Sequence, residues 1–335
     1  MPKLTFQPLR RLAIAACLCG AFAAQAVLVC GSARAEPLRI GYSDWPGWVA
    51  WQIAIEKNWF KAAGLDVAFE WFDYSASMDA FAAGKLDALT ITNGDALVMG
   101  SSGAKNVMIM LTDYSNGNDM IVGRPDVASL ADLKGKKVGL EVGLVEHLLL
   151  LNGLSKAGMN ENDVTLVNTK TNETPQVLGS GDVAAIGAWQ PIAGQAMREL
   201  PGSHPLYTSA NQPGLIYDTV AVSPGSLVAH RADWIKLTTV WDKVVAYIQD
   251  PKTRDDAVKI MAARSGVEPA TYLRSLKGTY LLNIAAGKPI MRDADGFGSL
   301  YGSSRNADAF NVKYGVYKVS QHIESYIDPS VTRGQ

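Results

Sequence analysis

The sequence predicts an α/β fold in which two lobes each contain a mostly parallel sheet flanked by helices. Short apolar runs alternate with helical patterns, beginning with a strand at 38–42 and a helix at 49–63 that is closed by Gly64. The order strand, polar loop, short helix and Gly-x-x-Asp at 70–88 recurs 95 residues later, at 165–183. Such a repeat indicates two lobes built on one plan.

The remaining elements follow in order along the chain. Predicted strands cover 38–42, 67–71, 88–92 and 107–111 in the first run, 137–141, 164–168 and 184–188 in the second, and 219–223 after it. Predicted helices cover 49–63, 77–83, 146–157, 232–249, 254–263, 270–277 and 308–327. The glycines between 279 and 305 favour a surface loop there.

The first 35 residues have the three-part pattern of a secretory signal peptide. Basic residues precede a long alanine-rich apolar stretch at 12–29, and Ala33-Arg34-Ala35 is an A-x-A cleavage signal. We therefore expect cleavage after Ala35 and export to the periplasm. The alternative is a membrane anchor. Lipidation of Cys30 is disfavoured because Val29 is not the small residue that usually precedes a lipidated cysteine.

Composition excludes several functions for the cleaved chain. Removing 35 of 335 residues leaves 300, with 27 basic and 32 acidic residues. This slightly acidic balance is unlike that of a nucleic-acid binder. All three cysteines lie in the removed segment, so disulfides, thiol nucleophiles and thiolate metal ligands are excluded. No cofactor or metal is predicted, and no later segment is apolar for long enough to span a membrane.

Several short motifs, in a fixed order, resemble a known family of transport proteins. They are Leu-Arg-Ile-Gly-Tyr at 38–42, Ala-x-x-Lys-x-x-Phe-x-x-x-Gly-Leu at 54–65, Gly-Lys-Leu-Asp-Ala at 84–88, Leu-Ala-Asp-Leu-Lys-Gly-Lys-Lys-Val-Gly at 130–139, and Trp-Gln-Pro at 189–191. In this order they are similar to the periplasmic substrate-binding proteins of nitrate, sulfonate and taurine type ABC importers. The resemblance covers most of residues 38–223.

The resemblance implies a type II periplasmic binding protein with two hinge crossings. We expect these crossings near 119–123 and 217–223. Lobe one is then 36–120 plus 219–335, and lobe two is 121–218. The implied function is capture of a small molecule between the lobes and delivery to an ABC importer permease at the inner membrane. A monomer without a nucleic-acid partner and without catalytic residues is expected.

Most candidate ligand-binding residues lie in loops that follow predicted strands, because ligands of open α/β sheets bind beyond the carboxyl ends of the strands. The expected hinge crossings add Asp119 and Asp218. Trp48 could instead belong to a helix core, one of Asn93 and Asp95 could cap a helix, and Glu146 could only complement a helix dipole. At Gln190 the family usually has an acidic residue. The candidates are Asp44, Trp45, Trp48, Ser75, Asn93, Asp95, Asp119, Glu141, Glu146, Trp189, Gln190 and Asp218.

The charges of these loops predict the class of ligand. Nine acidic residues lie in them, and Lys170 is their only basic residue. Carboxylates beside indole rings suit a small cationic or planar nitrogen compound such as guanidine, urea or an amine. This departs from the anionic substrates that the family resemblance implies. Aliphatic sulfonates, taurine and nitrate remain the first alternative.

Two further functions remain as alternatives. One is a thiamine-pyrimidine binding protein or enzyme, because a distant branch of the same fold makes that pyrimidine; the export signal argues against it. The other is a periplasmic sensor or chaperone, which an open apolar groove in place of a small pocket would favour. The sequence contains none of the common hydrolase, metalloprotease or nucleotide-binding motifs, and we predict that it is not an enzyme.

Overall fold

The computed structural model describes residues 36–333, and these residues form two β-sheets with helices packed against each. The predicted signal peptide therefore lies outside the described residues. The first sheet contains β1 (Leu38–Tyr42), β2 (Val67–Trp71), β3 (Ala88–Thr92), β4 (Val107–Ser115), β10 (Tyr217–Val222) and β11 (Thr279–Leu281). The second contains β5 (Asp119–Gly123), β6 (Lys137–Leu140), β7 (Thr165–Asn168), β8 (Ala185–Trp189) and β9 (His204–Thr208).

The strand order confirms the predicted fold class. The order is β11-β4-β10-β3-β1-β2 in the first sheet and β7-β6-β8-β5-β9 in the second. β1 pairs in parallel with β2 and β3, and β6 pairs in parallel with β7 and β8. Each sheet also has one inserted antiparallel strand, β10 between β3 and β4, and β5 between β8 and β9. Most strands of each sheet therefore run in one direction.

The chain passes between the sheets twice, a few residues before each position predicted for a crossing. The first passage lies between Ser115 and Asp119, and the second between Thr208 and Tyr217. Segments 119–123 and 217–223 were predicted as crossings, but they form strands β5 and β10. Buried polar side chains surround the first passage: Ser115 Oγ lies 2.6 Å from Ser209 Oγ, and Asn118 Nδ2 donates to Ser275 O at 2.6 Å.

Helices pack against both sheets. They are α1 (Pro46–Val49), α2 (Trp51–Glu56), α3 (Trp59–Ala62), α4 (Tyr74–Ala82), α5 (Asn93–Ser101), α6 (Val145–Lys156), α7 (Thr174–Ser180), α8 (Ile192–Glu199), α9 (Pro224–Ala229), α10 (Arg231–Gln249), α11 (Arg254–Arg264), α12 (Pro269–Ser275), α13 (Ile284–Ile290), α14 (Leu300–Lys313) and α15 (Ser330–Arg333). Among residues 36–333, we find no helix with the length and apolar character needed to cross a membrane.

Three predicted elements are wrong. The helix predicted at 49–63 is broken into α1, α2 and α3. The segment 279–305, predicted as a loop, contains β11, α13 and the start of α14. The helix predicted at 308–327 ends at Lys313, because Gly315 follows with a φ of 74° in the left-handed region that ends helices.

Candidate functional site

The predicted acidic residues gather at the carboxyl ends of strands and at helix starts, where the two lobes face each other. Asp113 on β4 is the register partner of Asp218 on β10, so their side chains are neighbours. Asp119 starts β5, and its carboxyl group lies within hydrogen-bond reach of Glu146 in the first turn of α6. The site therefore contains two carboxyl pairs, Asp113 with Asp218 in the lobe of the first sheet and Asp119 with Glu146 in the lobe of the second sheet.

Both carboxyl pairs are buried from water. Asp113, Asp119, Glu146 and Asp218 are at most 3% exposed. One oxygen each of Asp113, Asp119 and Asp218 lacks a hydrogen-bond partner, as do both carboxylate oxygens of Glu146. Two ionised carboxylates are both acceptors and cannot hydrogen-bond to each other, but one proton shared within a pair gives them a hydrogen bond. Each pair can therefore hold either a shared proton or a cation.

Burial raises the pKa values of these acids. It raises the pKa of Asp119 to about 7, and hydrogen bonds from Ser115 and Glu146 only partly oppose it. The pKa values of Glu146 and Asp218 lie well above their usual range, first because of burial and then because of the charge of the neighbouring acid. The pKa of Asp113 is also raised by burial.

Asp95 extends the acidic cluster and contacts both lobes. Its Oδ2 accepts a hydrogen bond from Tyr74 Oη at 2.7 Å and one from the backbone N–H of Val145 at 3.3 Å. Burial raises the pKa of Asp95 to about 7. Thr92 caps α5, because its Oγ1 accepts from the Asp95 N–H at 3.2 Å. The prediction that Asn93 or Asp95 caps this helix is therefore wrong.

Asn93 connects three elements behind the acidic cluster. Its Nδ2 donates to Ser303 Oγ at 3.0 Å and to Ser304 Oγ at 3.3 Å, both on α14. Its Oδ1 accepts from the backbone N–H of Tyr217 at 3.0 Å. In this arrangement the whole amide is used to position β10, the strand that carries Asp218.

Indole rings form the walls of the site. Trp45 Nε1 donates to Asp113 Oδ1 at 2.8 Å, and Trp189 Nε1 donates to Asp44 Oδ1 at 3.0 Å across the two lobes. The rings of Trp48 and Tyr74 lie 5.3 Å apart, and Trp48 Nε1 is buried without a hydrogen-bond partner. Burial raises the pKa of Asp44 to about 6. Trp48 thus has a polar N–H group still free for a ligand.

Direct contacts hold the lobes together at the mouth of the site. Between the lobes, Ser75 Oγ donates to Glu141 Oε1 at 2.8 Å and Asn172 Nδ2 donates to Asp73 Oδ2 at 3.3 Å. Thr171 Oγ1, in the same lobe as Glu141, donates to Glu141 Oε2 at 3.2 Å. Burial raises the pKa of Glu141. Beside these groups lies a small cavity of about 60 Å³, lined by residues including Asp44, Asp73, Tyr74, Ser75, Glu141, Lys170, Thr171, Asn172 and Trp189. The described lobes are therefore in a closed arrangement.

The structure adds residues that were not among the twelve candidates, and it separates one candidate from the others. Tyr74, Asp113 and Thr171 lie in the site. Asp113 and Tyr74 lie just after predicted strands, so the sequence could have indicated that they are near the site. Their hydrogen-bond partners could not be predicted, because these depend on contacts between distant segments. Gln190 lines a different cavity. Among residues 36–333, no group of three or more His, Cys, Asp or Glu residues is arranged to bind a metal ion.

Gly47 makes room for the Asp113 carboxyl group. A Cβ atom at Gly47 would overlap the carboxylate of Asp113, whereas a Cβ at Gly225, also in the first turn of a helix, would meet no atom within 4 Å. We expect Gly47→Ala to lower the free energy of unfolding by about 1–3 kcal/mol and to weaken ligand binding. Gly225→Ala should leave both unchanged or slightly raise stability. Thermal unfolding measures the change in stability, and titration calorimetry measures the change in ligand binding. Equal stability and equal binding of the two variants would contradict this packing role of Gly47.

Residues 45–268 match the NMT1/THI5 like family. The chain belongs to this family. A protein of Brucella abortus strain 2308 whose name describes it as a binding protein is 30% identical over 203 residues, which are 60% of this chain. The alignment spans 63% of that relative's length. This membership and the fold neighbours below confirm the resemblance predicted from the sequence motifs.

Several solved structures of similar fold are binding proteins. This NMT1/THI5 like chain matches the alkanesulfonate-binding protein of Xanthomonas axonopodis pv. citri bound to MOPS with a TM-score of 0.73, at 18% identity, over 88% of this chain and 99% of that one. It matches the periplasmic nitrate-binding protein of Synechocystis PCC 6803 with a TM-score of 0.70, at 13% identity, over 89% and 88%. The desulfurization enzyme DSZB shares the fold with a TM-score of 0.61. These likenesses show the two-lobe fold.

Proposed function

We propose that this protein is a periplasmic solute-binding protein that closes its two lobes on a small molecule and delivers it to an ABC importer. The two-lobe fold and the family membership support this function. The signal-peptide pattern supports export, with cleavage after Ala35. A ligand favours the closed arrangement only if it contacts both lobes, and the acid pairs lie on both.

We propose further that the ligand is a small cationic or planar nitrogen compound of the guanidinium type. The observation that carries this proposal is the set of buried carboxylate oxygens without hydrogen-bond partners in the two acid pairs. A guanidinium group presents N–H donors along its edges, and two such donors match the two oxygens of a carboxylate. Each acid pair therefore offers acceptors to one edge of the cation.

The indoles complete this recognition. Trp45 holds Asp113 in place through its N–H group, and the face of an indole attracts a cation once water is excluded. Lys170 is the one basic residue among those lining the small cavity at the mouth. A sulfonate or nitrate ion placed between the acid pairs would be repelled by any carboxylate that ionises, which is why we place these anions second.

A thermal-shift screen of the cleaved, ligand-stripped protein at pH 8 tests the proposed ligand. The compounds are guanidinium, methylguanidine and urea, set against taurine, ethanesulfonate and nitrate. A ligand at 100 times its Kd stabilises by about 2.7 kcal/mol, which raises the Tm of a chain this size by about 2–4 °C or more. We expect shifts with the nitrogen compounds only. Shifts with taurine, ethanesulfonate or nitrate alone would instead support the family's anionic substrates.

A further inference from the structure

A second cavity lies next to the first passage between the sheets, with walls from both lobes. Its volume is about 260 Å³. Asn118 and Gln190 line it, and each directly adjoins a site residue, Asp119 and Trp189. No residue that lines it also lines the small cavity at the mouth of the site. This cavity is therefore separate from the proposed ligand site.

Two arginines from opposite lobes give this cavity its charge. Arg198 comes from α8, which packs against β5 and β8 of the second sheet. Arg274 comes from α12, which packs against α11 over the first sheet. Within residues 36–333, neither arginine is in an ion pair, and no acidic residue lines the cavity. Arg274 donates one hydrogen bond, to Thr271 Oγ1 at 2.9 Å.

Both arginines are exposed, so their guanidinium groups are accessible to an ion from solvent. Each guanidinium has five N–H donors in a planar fork, which fits the oxygens of a phosphate, sulfate or carboxylate. The opposite charges of this cavity and of the acid pairs indicate two different ligands.

Gly194 on α8 gives the Gln190 side chain room beside Arg198. A Cβ at Gly194 would lie 2.6 Å from Gln190 Oε1 and 3.4 Å from Arg198 Nη1. The glycine therefore allows Gln190 and Arg198 to approach the same point on the wall of the cavity.

We propose that this cavity binds a small oxyanion, such as phosphate or sulfate, between Arg198 and Arg274. Because the arginines belong to different lobes, the anion favours the arrangement of the lobes in which both reach it. By thermodynamic linkage, an anion that stabilises the closed lobes must also tighten binding of the cleft ligand by the same factor. The cavity is thus a second site that regulates closure.

Titration calorimetry of the ligand-stripped protein with sodium sulfate and sodium phosphate, at constant ionic strength, tests the site. We expect Arg198→Gln and Arg274→Gln each to raise the Kd for the anion at least tenfold. Arg292→Gln removes an exposed arginine that does not line the cavity, and it should leave the Kd unchanged. No binding of either anion by the wild type, or equal binding by all three variants, would overturn the proposal.

The Asp119→Asn variant separates this proposal from the one for the cleft. If the anion occupied the cleft, removing a carboxylate there would strengthen anion binding, and the arginine variants would have little effect. That result would overturn both the second site and the cationic ligand. If the anion binds at the arginines, Arg198→Gln and Arg274→Gln raise the anion Kd by the same factor in the wild-type and Asp119→Asn backgrounds, and the cleft proposal is then decided by the guanidinium screen alone.

Discussion

We expect the Asp218→Asn variant to bind guanidinium about 10- to 100-fold more weakly than the wild type, because one charged hydrogen-bond acceptor is lost. At the same time its thermal stability at pH 8 should rise. Burial, and then the charges of Asp113 and Asp119, hold the pKa of Asp218 well above its usual range, so ionisation of this group opposes folding. An asparagine has nearly the same shape, and its amide N–H donates to Asp113 without depending on a titratable proton.

A buried polar group that lacks a hydrogen-bond partner costs about 1–3 kcal/mol, and more if it is charged, so a gain of about 1 kcal/mol or more at pH 8 is expected. Calorimetric titration with guanidinium chloride and thermal unfolding measure binding and stability on the same samples. Asp182→Asn, at an exposed loop position, is the matched control and should change neither. Loss of both binding and stability would instead make Asp218 a structural residue.

Local sequence signals were sufficient to predict the first three strands of the parallel part of the fold. β1, β2 and β3 have the predicted bounds because each is a five-residue apolar or aromatic run between polar turns. The prediction failed where a capping residue was overlooked. Asn283 Oδ1 accepts from the Ala286 N–H at 2.8 Å and starts α13, and Ser299 Oγ accepts from the Tyr301 N–H at 3.2 Å and starts α14.

The composition of the candidate site could be predicted, but its pairing could not. The rule that ligands lie beyond strand ends selected Glu146, and the expected hinge crossings selected Asp119 and Asp218. Asp113 and Asp218 become a pair only because β10 inserts antiparallel between β3 and β4, in one particular register. Register between distant segments is set by the packing of the whole sheet and has no local signal. For the same reason the sequence could not predict that Gln190 lines a different cavity.

We expect the stability of the ligand-free protein to fall as the pH rises from about 5 to about 7. The pKa of Asp95 and of Asp119 is about 7 in the folded chain, against about 3.9 in an unfolded one, so the folded chain binds more protons across this interval. Asp44, with a pKa of about 6, contributes in the same direction. The stabilisation is complete below about pH 4 and is lost as the pH passes through the folded pKa values.

His147 acts in the opposite direction, because burial lowers its pKa to about 4, and it favours folding as the pH rises from about 4 to 6.5. Near pH 6 it offsets most of one of the protons that Asp44, Asp95 and Asp119 hold. These four groups alone therefore lower the free energy of unfolding by about 2 kcal/mol per pH unit, and the raised pKa values of Asp113, Glu146 and Asp218 steepen the fall. Thermal unfolding between pH 4.5 and 8 measures this slope, and the double variant Asp95→Asn, Asp119→Asn should flatten it. Saturating guanidinium should flatten it as well, because a cation between the acid pairs takes the place of the protons. A stability that rises steadily with pH would show that these carboxyl groups are solvated, and the buried acid pairs would then no longer support a cationic ligand.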